Sequence, residues 1–362
     1  MSDVEPVKVA TADKATNSAV DVELSQPSAY NLQSAKAAVL VAAASEGDVL
    51  LPLRTTFADL LRPAVQASLS ECDHTIVSIF VNPAQFAPHE DLATYPRTLE
   101  ADIAALASAS SPAHPSRKIS ALFLPPVEAL YPSGITTDVS KQRGTFLEVK
   151  GLQEVMEGKS RPGFFRGVAT VVIKLFNLVQ ASPVFPTRAY FGQKDIQQAL
   201  LLRRMLLDLH VPFPLAHNLV ILPTYRDQRS HLALSSRNAY LAENEREYAT
   251  VLVDALEAAE NEWKRQRGRE KGQVRVGDVL RIAEEHVHEV ERKAAQDGRG
   301  VEVKLLYIAM NDPDELSDLD RDDVVEPGRG ALLSGAVMLG RTRLIDNIVF
   351  DYDLNPPPAP SS

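Results

Sequence analysis

The sequence predicts an α/β fold with a parallel sheet, followed by a smaller C-terminal α+β domain. Short apolar strands alternate with helical stretches through the first part of the chain, which is typical of parallel strands joined by crossover helices. The run 75–81 is rich in β-branched residues and ends at Asn82-Pro83, as a strand buried on both faces does. After about residue 243, two long charged helices and several strand-like runs indicate a second unit.

Composition limits the classes of function. The 362 residues have room for two domains, and 45% hydrophobic with 24% charged residues is ordinary for a soluble protein. The formal net charge of -10 makes the chain a poor candidate for nucleic-acid binding, although Lys and Arg could still gather in one cleft to hold an anionic substrate.

Targeting signals and cysteine usage predict a cytoplasmic protein. Cys72 is the single cysteine, which excludes an intramolecular disulfide and a cysteine-based metal cluster. No apolar run approaches the roughly 18 residues needed to cross a bilayer, so no membrane partner is expected. The N-terminus has no apolar core, and no arginine precedes Arg54, which argues against signal and transit peptides.

The first domain is predicted over 29–223, after a disordered tail at 1–28. A first strand is expected at 37–43, and a helix at 50–70 that Pro63 interrupts. The remaining elements are a helix at 99–107 capped by Thr98, a surface insertion at 108–116, strands at 121–124, 189–191 and 220–222, and helices at 166–180 and 196–209.

The second domain is predicted over 224–354, with 223–227 as the connection between the domains. Amphipathic spacing predicts helices at 243–265 and 276–293, and apolar runs predict strands at 303–308, 331–337 and 344–350. The proline-rich residues 355–362 are expected to form a disordered tail.

Two amides follow the buried strand at 75–81. In open α/β sheets, ligands bind beyond the carboxyl ends of the strands, and Asn82 and Gln85 lie at such an end. Their side chains can donate and accept hydrogen bonds without repelling an anion. The alternative is that Asn82-Pro83 is only a turn and Gln85 an exposed residue.

A phosphate site is predicted at 192–198, between a strand and a helix. Gly192 allows close approach of the backbone, the helix start presents N–H groups, and Lys194 adds a positive charge. The alternative, compatible with this one, is a capping box formed by Asp195 and Gln198.

Two further polar stretches could contact anions. Ser235, Ser236 and Arg237 could hold a polyphosphate, or one serine could simply cap the next helix. The segment 157–163 could close over an anion, Glu157 could help to hold Mg²⁺, or the segment could be a plain loop. The histidines show no metal-ligand spacing, so no transition-metal site is expected.

Taken together, these stretches resemble the pantothenate synthetase (pantoate–β-alanine ligase) family, in a eukaryotic, fungal-like form. The matching segments, in family order, are 77–86, 95–98, 157–162, 166–172, 190–198, 234–238 and 342–347. The resemblance implies a Rossmann-like nucleotidyltransferase domain with a C-terminal lid, a homodimer, and use of ATP and Mg²⁺. It implies that pantoate and β-alanine are joined through pantoyl adenylate, with release of AMP and pyrophosphate.

The resemblance also implies roles for individual residues. Gln85 and Gln198 would bind pantoate, with Asn82 in support. Lys194 and Arg237 would act on the phosphates, and the backbone of Tyr225 would contact ATP. The ATP-binding residues would be Gly192, Gln193, Lys194, Asp195, Tyr225, Leu234, Ser235, Ser236 and Arg237.

The chain departs from the family at the end of its first strand. The family has Pro-Thr-Met-Gly-Ala-Leu-His-x-Gly-His there, whose histidines contact the ATP phosphates, but no histidine precedes His74 in this chain. Ser45 and Asp48 stand in their place, and an Asp repels a polyphosphate. Loss of such a donor typically costs ~10²–10⁴ in rate.

Three interpretations of this departure are open. The chain is a weak or inactive ligase, or a non-catalytic member that binds nucleotide or pantoate or only dimerises, or residues 38–64 come from a mistranslated exon or retained intron. Elsewhere, Phe164 replaces a usual His, and His231 replaces a usual Gly.

Overall fold

The first domain is built on a parallel sheet. The computed structural model describes residues 9–10, 37–43, 57–86, 99–178 and 187–357. Within these residues the sheet has the order β1-β4-β3-β2-β5-β6, and every pair in it is parallel. Its strands are β1 (Val9–Ala10), β2 (Ala37–Ala43), β3 (His74–Phe80), β4 (Ala121–Phe123), β5 (Thr187–Gly192) and β6 (Leu219–Leu222).

Helices connect these strands and cover the sheet. They are α1 (Phe57–Glu71), α2 (Leu99–Ala107), α3 (Val127–Leu130), α4 (Glu157–Ser160), α5 (Phe164–Leu178) and α6 (Ile196–Asp208). The apolar positions of α5 recur at helical spacing, and Val168, Val171 and Leu175 are completely buried. This helix therefore forms the centre of the first core, where it packs against β2 and α6.

The second domain packs two helices on an antiparallel sheet. The helices are α7 (Val251–Arg267) and α8 (Val276–Gln296), with a small pair β7 (Val274–Arg275) and β9 (Val324–Val325) beside them. The main sheet has the order β11-β10-β8, formed by β8 (Val303–Asn311), β10 (Ala331–Leu339) and β11 (Thr342–Phe350). Trp263 of α7 stacks on Phe350 with 4.4 Å between ring centroids.

The predicted α/β class and the second α+β unit are confirmed, and two helix predictions need correction. Helix α1 continues through Pro63, where an interruption was predicted, and tertiary packing of buried Val65 and Leu69 offsets the lost backbone hydrogen bond. Helix α7 begins at Val251, eight residues later than predicted, because 243–250 form turns that include a 3-10 turn at Arg246–Tyr248.

Three peripheral predictions also need comment. Val9–Ala10 pairs with Leu122 and Phe123, so the predicted N-terminal tail contains a strand. The side chain of Asn355 donates to the carbonyl of Ile221 and accepts from its N–H, both at 2.8 Å, so the predicted C-terminal tail begins with an ordered contact. The predicted cap Thr98 lies outside the described residues.

The predicted insertion at 108–116 is mostly exposed, but Ser111 is buried, and its hydroxyl lies 2.5 Å from that of Ser70. No helix in the described part of the chain is both long and apolar enough to cross a membrane.

Candidate active site

The strand order reverses between β2 and β5. From β2 the chain builds outward through β3 and β4, and then returns to add β5 and β6 on the other side. In such sheets the ligand crevice lies beyond the carboxyl ends of the strands at the point of reversal. Gly192 ends β5 at this point, whereas Ser45 and Asp48, which follow β2, lie outside the described residues. The topology alone therefore places a binding crevice beside the predicted phosphate loop.

The loop after β5 makes a short 3-10 turn at Gln193–Asp195 and then enters α6. The Lys194 side chain is largely buried, and its ammonium nitrogen lies 3.5 Å from Oδ1 of Asp195. Asp195 occupies the N-cap position of α6 but makes no side-chain cap hydrogen bond. The capping box predicted for Asp195 and Gln198 is therefore wrong, and the phosphate-site interpretation of the loop remains.

A cleft lies between the two domains at this loop. Lys194, Arg237 and Arg161 contribute cations to its wall, and Gln198 contributes an amide. A neighbouring open pocket shares Lys194 and Arg237 with it. The structure thus brings Lys194, Arg237 and Gln198 together. Arg237 lies at least 39 positions after the other two residues in the sequence.

The adjacent glutamines at the start of α6 have different environments. Gln197 donates to the carbonyls of Leu152 and Val155, both at 2.8 Å, and accepts from the N–H of Glu157 at 2.9 Å. Gln198 is also buried, but its Oε1 has no hydrogen-bond partner among the residues that the structure describes. Because buried polar atoms are normally paired, this oxygen is an acceptor suited to a ligand hydroxyl.

The turn after β3 is a closed hydrogen-bond network around Asn82, which is completely buried. Its Oδ1 accepts from the Tyr131 hydroxyl at 2.7 Å and from the N–H of Ala84 at 3.3 Å. Its Nδ2 donates to Oε1 of Gln85 at 3.0 Å and to the carbonyl of Gly167 at 3.1 Å. Asn82 therefore orients Gln85 as a supporting amide.

Gln85 is 3% exposed, so the alternative that it is a surface residue is wrong. It is not among the residues that line the cleft at Lys194 and Arg237. The structure therefore places Gln198 beside the predicted phosphate-binding residues, and it places Gln85 in the buried turn after β3.

Gly167 of α5 allows this turn to approach the helix. A Cβ atom at this position would lie 2.4 Å from the carbonyl oxygen of Ala84 and 2.7 Å from the N–H nitrogen of Gln85. Both are backbone atoms that cannot rotate away, so only glycine fits here.

The segment 234–238 of the second domain caps a turn and also lies at the cleft. The hydroxyl of Ser235 accepts from the N–H of Arg237 at 3.2 Å and caps a 3-10 turn at Ser236–Tyr240, as the capping alternative predicts. Arg237 is nevertheless buried against the cleft, and one guanidinium nitrogen donates to the carbonyl of Arg343 at 3.3 Å. The N–H of Leu234 donates to the carbonyl of Tyr225 at 2.8 Å, so the backbone oxygen of Tyr225 already accepts one hydrogen bond.

Glu157 is paired with the second domain, which argues against its predicted role as a magnesium ligand. Its carboxylate accepts two hydrogen bonds from Arg343, at 2.6 and 2.8 Å, and one from the Tyr307 hydroxyl at 2.6 Å. Burial raises the pKa of Glu157, but the hydrogen bonds and charge of Arg343, with the Tyr307 hydroxyl, outweigh it and hold the pKa below its ordinary value. The described residues contain no group of three His, Cys, Asp or Glu that could hold a metal ion.

Sequence reasoning assigned no individual role to two residues of the cleft, Arg161 and Asn347. The Arg161 guanidinium lies 3.8 Å from the ring centroid of Phe164, the residue that replaces a usual His of the family. Asn347 belongs to the recognised segment 342–347, and its side chain contacts the phosphate loop. Both residues lie in segments that resemble the family, 157–162 and 342–347, but the resemblance implies no individual role for either.

The parallel sheet, with a cationic cleft at its point of strand reversal, defines a Rossmann-like α/β protein whose second domain lines the same cleft. The family model described as "Pantoate-beta-alanine ligase" matches residues 62–349. The chain belongs to this family, and hence to the ligases of pantothenate biosynthesis.

Curated relatives agree with this assignment. A pantothenate synthetase from Roseiflexus castenholzii is 42% identical over 287 residues, which cover 79% of this chain and 86% of the relative. A pantoate–β-alanine ligase from Saccharomyces cerevisiae is 40% identical, again over 79% of this chain and 86% of the relative.

Solved structures show the same fold. The pantothenate synthetase of Thermus thermophilus superposes with a TM-score of 0.64 at 34% identity, covering 87% of this chain and 93% of that one. The pantoate–β-alanine ligase of Francisella tularensis, complexed with β,γ-ATP and β-alanine, gives a TM-score of 0.54 at 25% identity and covers 87% and 90% of the two chains. The predicted family and its nucleotidyltransferase-type fold are therefore confirmed.

The family match begins at Arg62, so the segment that contains Ser45 and Asp48 lies outside it. This agrees with the departure from the family pattern noted in the sequence.

Proposed function

We propose that this chain is an ATP-dependent ligase that condenses pantoate with β-alanine through a pantoyl-adenylate intermediate, releasing AMP and pyrophosphate. The observation that carries the proposal is the single cleft lined by Lys194, Arg237 and Gln198. It combines cations for a polyphosphate with a buried amide oxygen, unpartnered within the described part of the chain, for a hydroxyl group. The complex of the Francisella tularensis relative, which contains an ATP analogue and β-alanine, supports the same choice of substrates.

The proposed reaction has two steps. A carboxylate oxygen of pantoate attacks the α-phosphorus of ATP, and the bond to pyrophosphate breaks. The amine of β-alanine then attacks the acyl carbon, and AMP leaves with the bonding electron pair as the amine loses a proton. Lys194 and Arg237 would offset the charge that develops on the phosphates, and Gln198 would accept a hydrogen bond from pantoate.

Magnesium fits this cleft poorly as an ion held by the protein. The carboxylate of Glu157 accepts hydrogen bonds from Arg343 and Tyr307. The carboxylate of Asp346 accepts hydrogen bonds from Arg226 and from the backbone N–H of Asn347. Mg²⁺ would therefore enter with ATP, held by phosphate oxygens and water, as it commonly is in such enzymes. A cytoplasmic location and a homodimeric assembly remain part of the proposal.

Formation of AMP and pantothenate from pantoate, β-alanine and ATP with Mg²⁺ tests this function directly. Lys194→Ala is expected to reduce the rate by about 10²-fold or more, because it removes a charge that stabilises the transition state. Lys264→Ala is the matched control, since Lys264 is exposed on α7 and pairs with Glu260 one turn earlier on the same helix. Absence of AMP release by the unaltered protein would contradict an active ligase.

A second candidate function is a family member that binds nucleotide or pantoate, or dimerises, without turnover. It is favoured by the absence of any histidine before His74 and by the start of the family match at Arg62.

Rescue of a pantothenate auxotroph by this reading frame would support the ligase. Rescue only after the family's histidine segment replaces residues 44–48 would support the second candidate, and sequencing the transcript across 38–64 would show whether that segment is genuine.

A further inference from the structure

The side chain of Asn347 bridges the second domain and the phosphate loop. Asn347 lies on β11 and is 3% exposed. Its Nδ2 donates to the carbonyl of Gln193 at 2.9 Å and to the carbonyl of Lys194 at 2.8 Å. These two acceptors define which end of the amide is the NH₂ group, because only a donor satisfies them.

Capture of these carbonyls determines the orientation of the loop's peptide groups. In a planar trans peptide, the carbonyl of one residue and the N–H of the next point in opposite directions. With the carbonyls of Gln193 and Lys194 turned toward Asn347, the N–H groups of Lys194 and Asp195 point away from it. Those are the N–H groups at the helix start that a phosphate would meet.

Asn347 is itself held firmly. Its N–H donates to Oδ1 of Asp346 at 2.9 Å, and Oδ2 of Asp346 accepts from Arg226 at 2.6 Å. On the same face of β11, Arg343 pairs with Glu157 of the first domain. The strand therefore contacts the first domain through both Arg343 and Asn347, and Asn347 reaches the phosphate loop.

We propose that Asn347 is a positioning residue, which aligns the peptide groups and the Lys194 side chain of the phosphate loop by holding the carbonyls of Gln193 and Lys194. The proposal deepens the function proposed above and rests on it for the identity of the ligand. Asn347 acts through the loop and would not touch the reacting atoms.

Amide hydrogen exchange of the ligand-free protein tests the placement without reference to activity. Asn347→Ala is expected to speed exchange in the peptide covering 193–196 by about tenfold, because the two hydrogen bonds that hold the loop's carbonyls are lost. Asn311→Ala is the matched control. Asn311 is a buried residue of β8 whose Nδ2 bonds stay within the second domain, to Leu316 and Asp318. The control is expected to leave exchange at 193–196 unchanged.

Asn347→Ser keeps one hydroxyl donor and is expected to give an intermediate exchange rate, which provides a milder variant if the alanine protein folds poorly.

Titration with ATP and Mg²⁺ in the absence of pantoate provides the second measurement. Asn347→Ala is expected to weaken ATP binding by about tenfold, through loss of roughly 1.4 kcal/mol, and Asn311→Ala is expected to leave it unchanged.

Equal exchange rates at 193–196 in the Asn347→Ala and Asn311→Ala variants would overturn the inference, whatever their affinities for ATP. Weaker ATP binding together with faster local exchange would support it. Failure of the unaltered protein to bind ATP would reject the proposed function instead, and the exchange result would still decide the placement of Asn347.

Discussion

The turn after β3 and the loop after β5 both follow a buried parallel strand, but different parts of the molecule hold them. Asn82 makes all of its side-chain hydrogen bonds to residues of the first domain. The loop at Lys194 receives its side-chain support from Asn347 of the second domain. The first segment is therefore held within the first domain, whereas the second depends on how the domains meet.

This difference divides the proposed chemistry. The turn at Asn82 and Gln85 would provide a fixed amide surface for the small acid, and the loop at Lys194 would respond to the position of the second domain. Substitutions that disturb only one segment should therefore separate pantoate binding from ATP binding.

Gly167→Ala is the change with the largest expected effect. The added Cβ would lie 2.4 Å from the carbonyl oxygen of Ala84, so α5 or the turn after β3 must move. We expect the free energy of unfolding to fall by about 4 kcal/mol, as overpacking against backbone does in severe cases. Chemical denaturation measures this.

Gly192→Ala is the control for Gly167→Ala, because a Cβ at Gly192 meets nothing within 4 Å. If both variants lose the same stability, the close packing of α5 against the turn after β3 does not hold that turn in place.

Glu157→Gln breaks the buried ion pair between α4 and the second domain. It leaves Arg343 without its carboxylate in a largely buried site, so we expect a loss of roughly 3 kcal/mol in the free energy of unfolding at neutral pH. Lys159→Gln, which removes an exposed pair with Asp318, should change stability by about 0.5 kcal/mol at most.

The Glu157 effect should depend on pH with a definite sign. The folded-state pKa of Glu157 lies below the ordinary 4.5, so the stabilisation is complete above that value and is lost as pH falls through the folded pKa. Denaturation curves should therefore show the gap between wild type and Glu157→Gln constant near neutral pH and shrinking in acid. A gap that widens in acid would contradict the assignment.

Tyr131→Phe tests the closed network directly. The hydroxyl donates to Oδ1 of Asn82, and its removal should cost about 1 kcal/mol of stability. We expect weaker pantoate binding and unchanged ATP binding, both measured by calorimetric titration. Tyr190→Phe loses a comparable hydrogen bond, to Glu71, and should change neither affinity. Equal losses of pantoate and ATP affinity would show that the two segments are not independent.

His231→Gly has the smallest expected effect, and it is stabilising. His231 has a φ of 59°, in the left-handed region that costs a non-glycine residue roughly 1–2 kcal/mol. Part of this gain is offset by the greater freedom of glycine in the unfolded chain, so we expect about 0.5–1 kcal/mol of added stability. Thermal melting measures it, and His114→Gly, which is not at a positive φ, should lower stability instead.

Some of the candidate site was predictable from local sequence. The strand before Asn82 and the loop from Gly192 to Gln198 were located correctly, because β-branched runs and strand-to-helix junctions are local patterns. The capping box was wrong, because the identity of Asp195 and Gln198 at the right spacing does not determine where their side chains point. Likewise, the sequence shows two adjacent glutamines but not that Gln197 is bonded and the oxygen of Gln198 is unpaired.

The sequence by itself determined the class of fold, the order of most elements, the family, and the stretches that meet at the cleft. These properties depend on apolar periodicity and on residues close together in the chain. The tertiary structure alone decided that Glu157 pairs with Arg343, 186 residues away, and that Asn347 holds the carbonyls beside Lys194. The physical reason is that a charge or an amide takes whichever partner the packed domains bring within about 3 Å, and no local pattern encodes that partner.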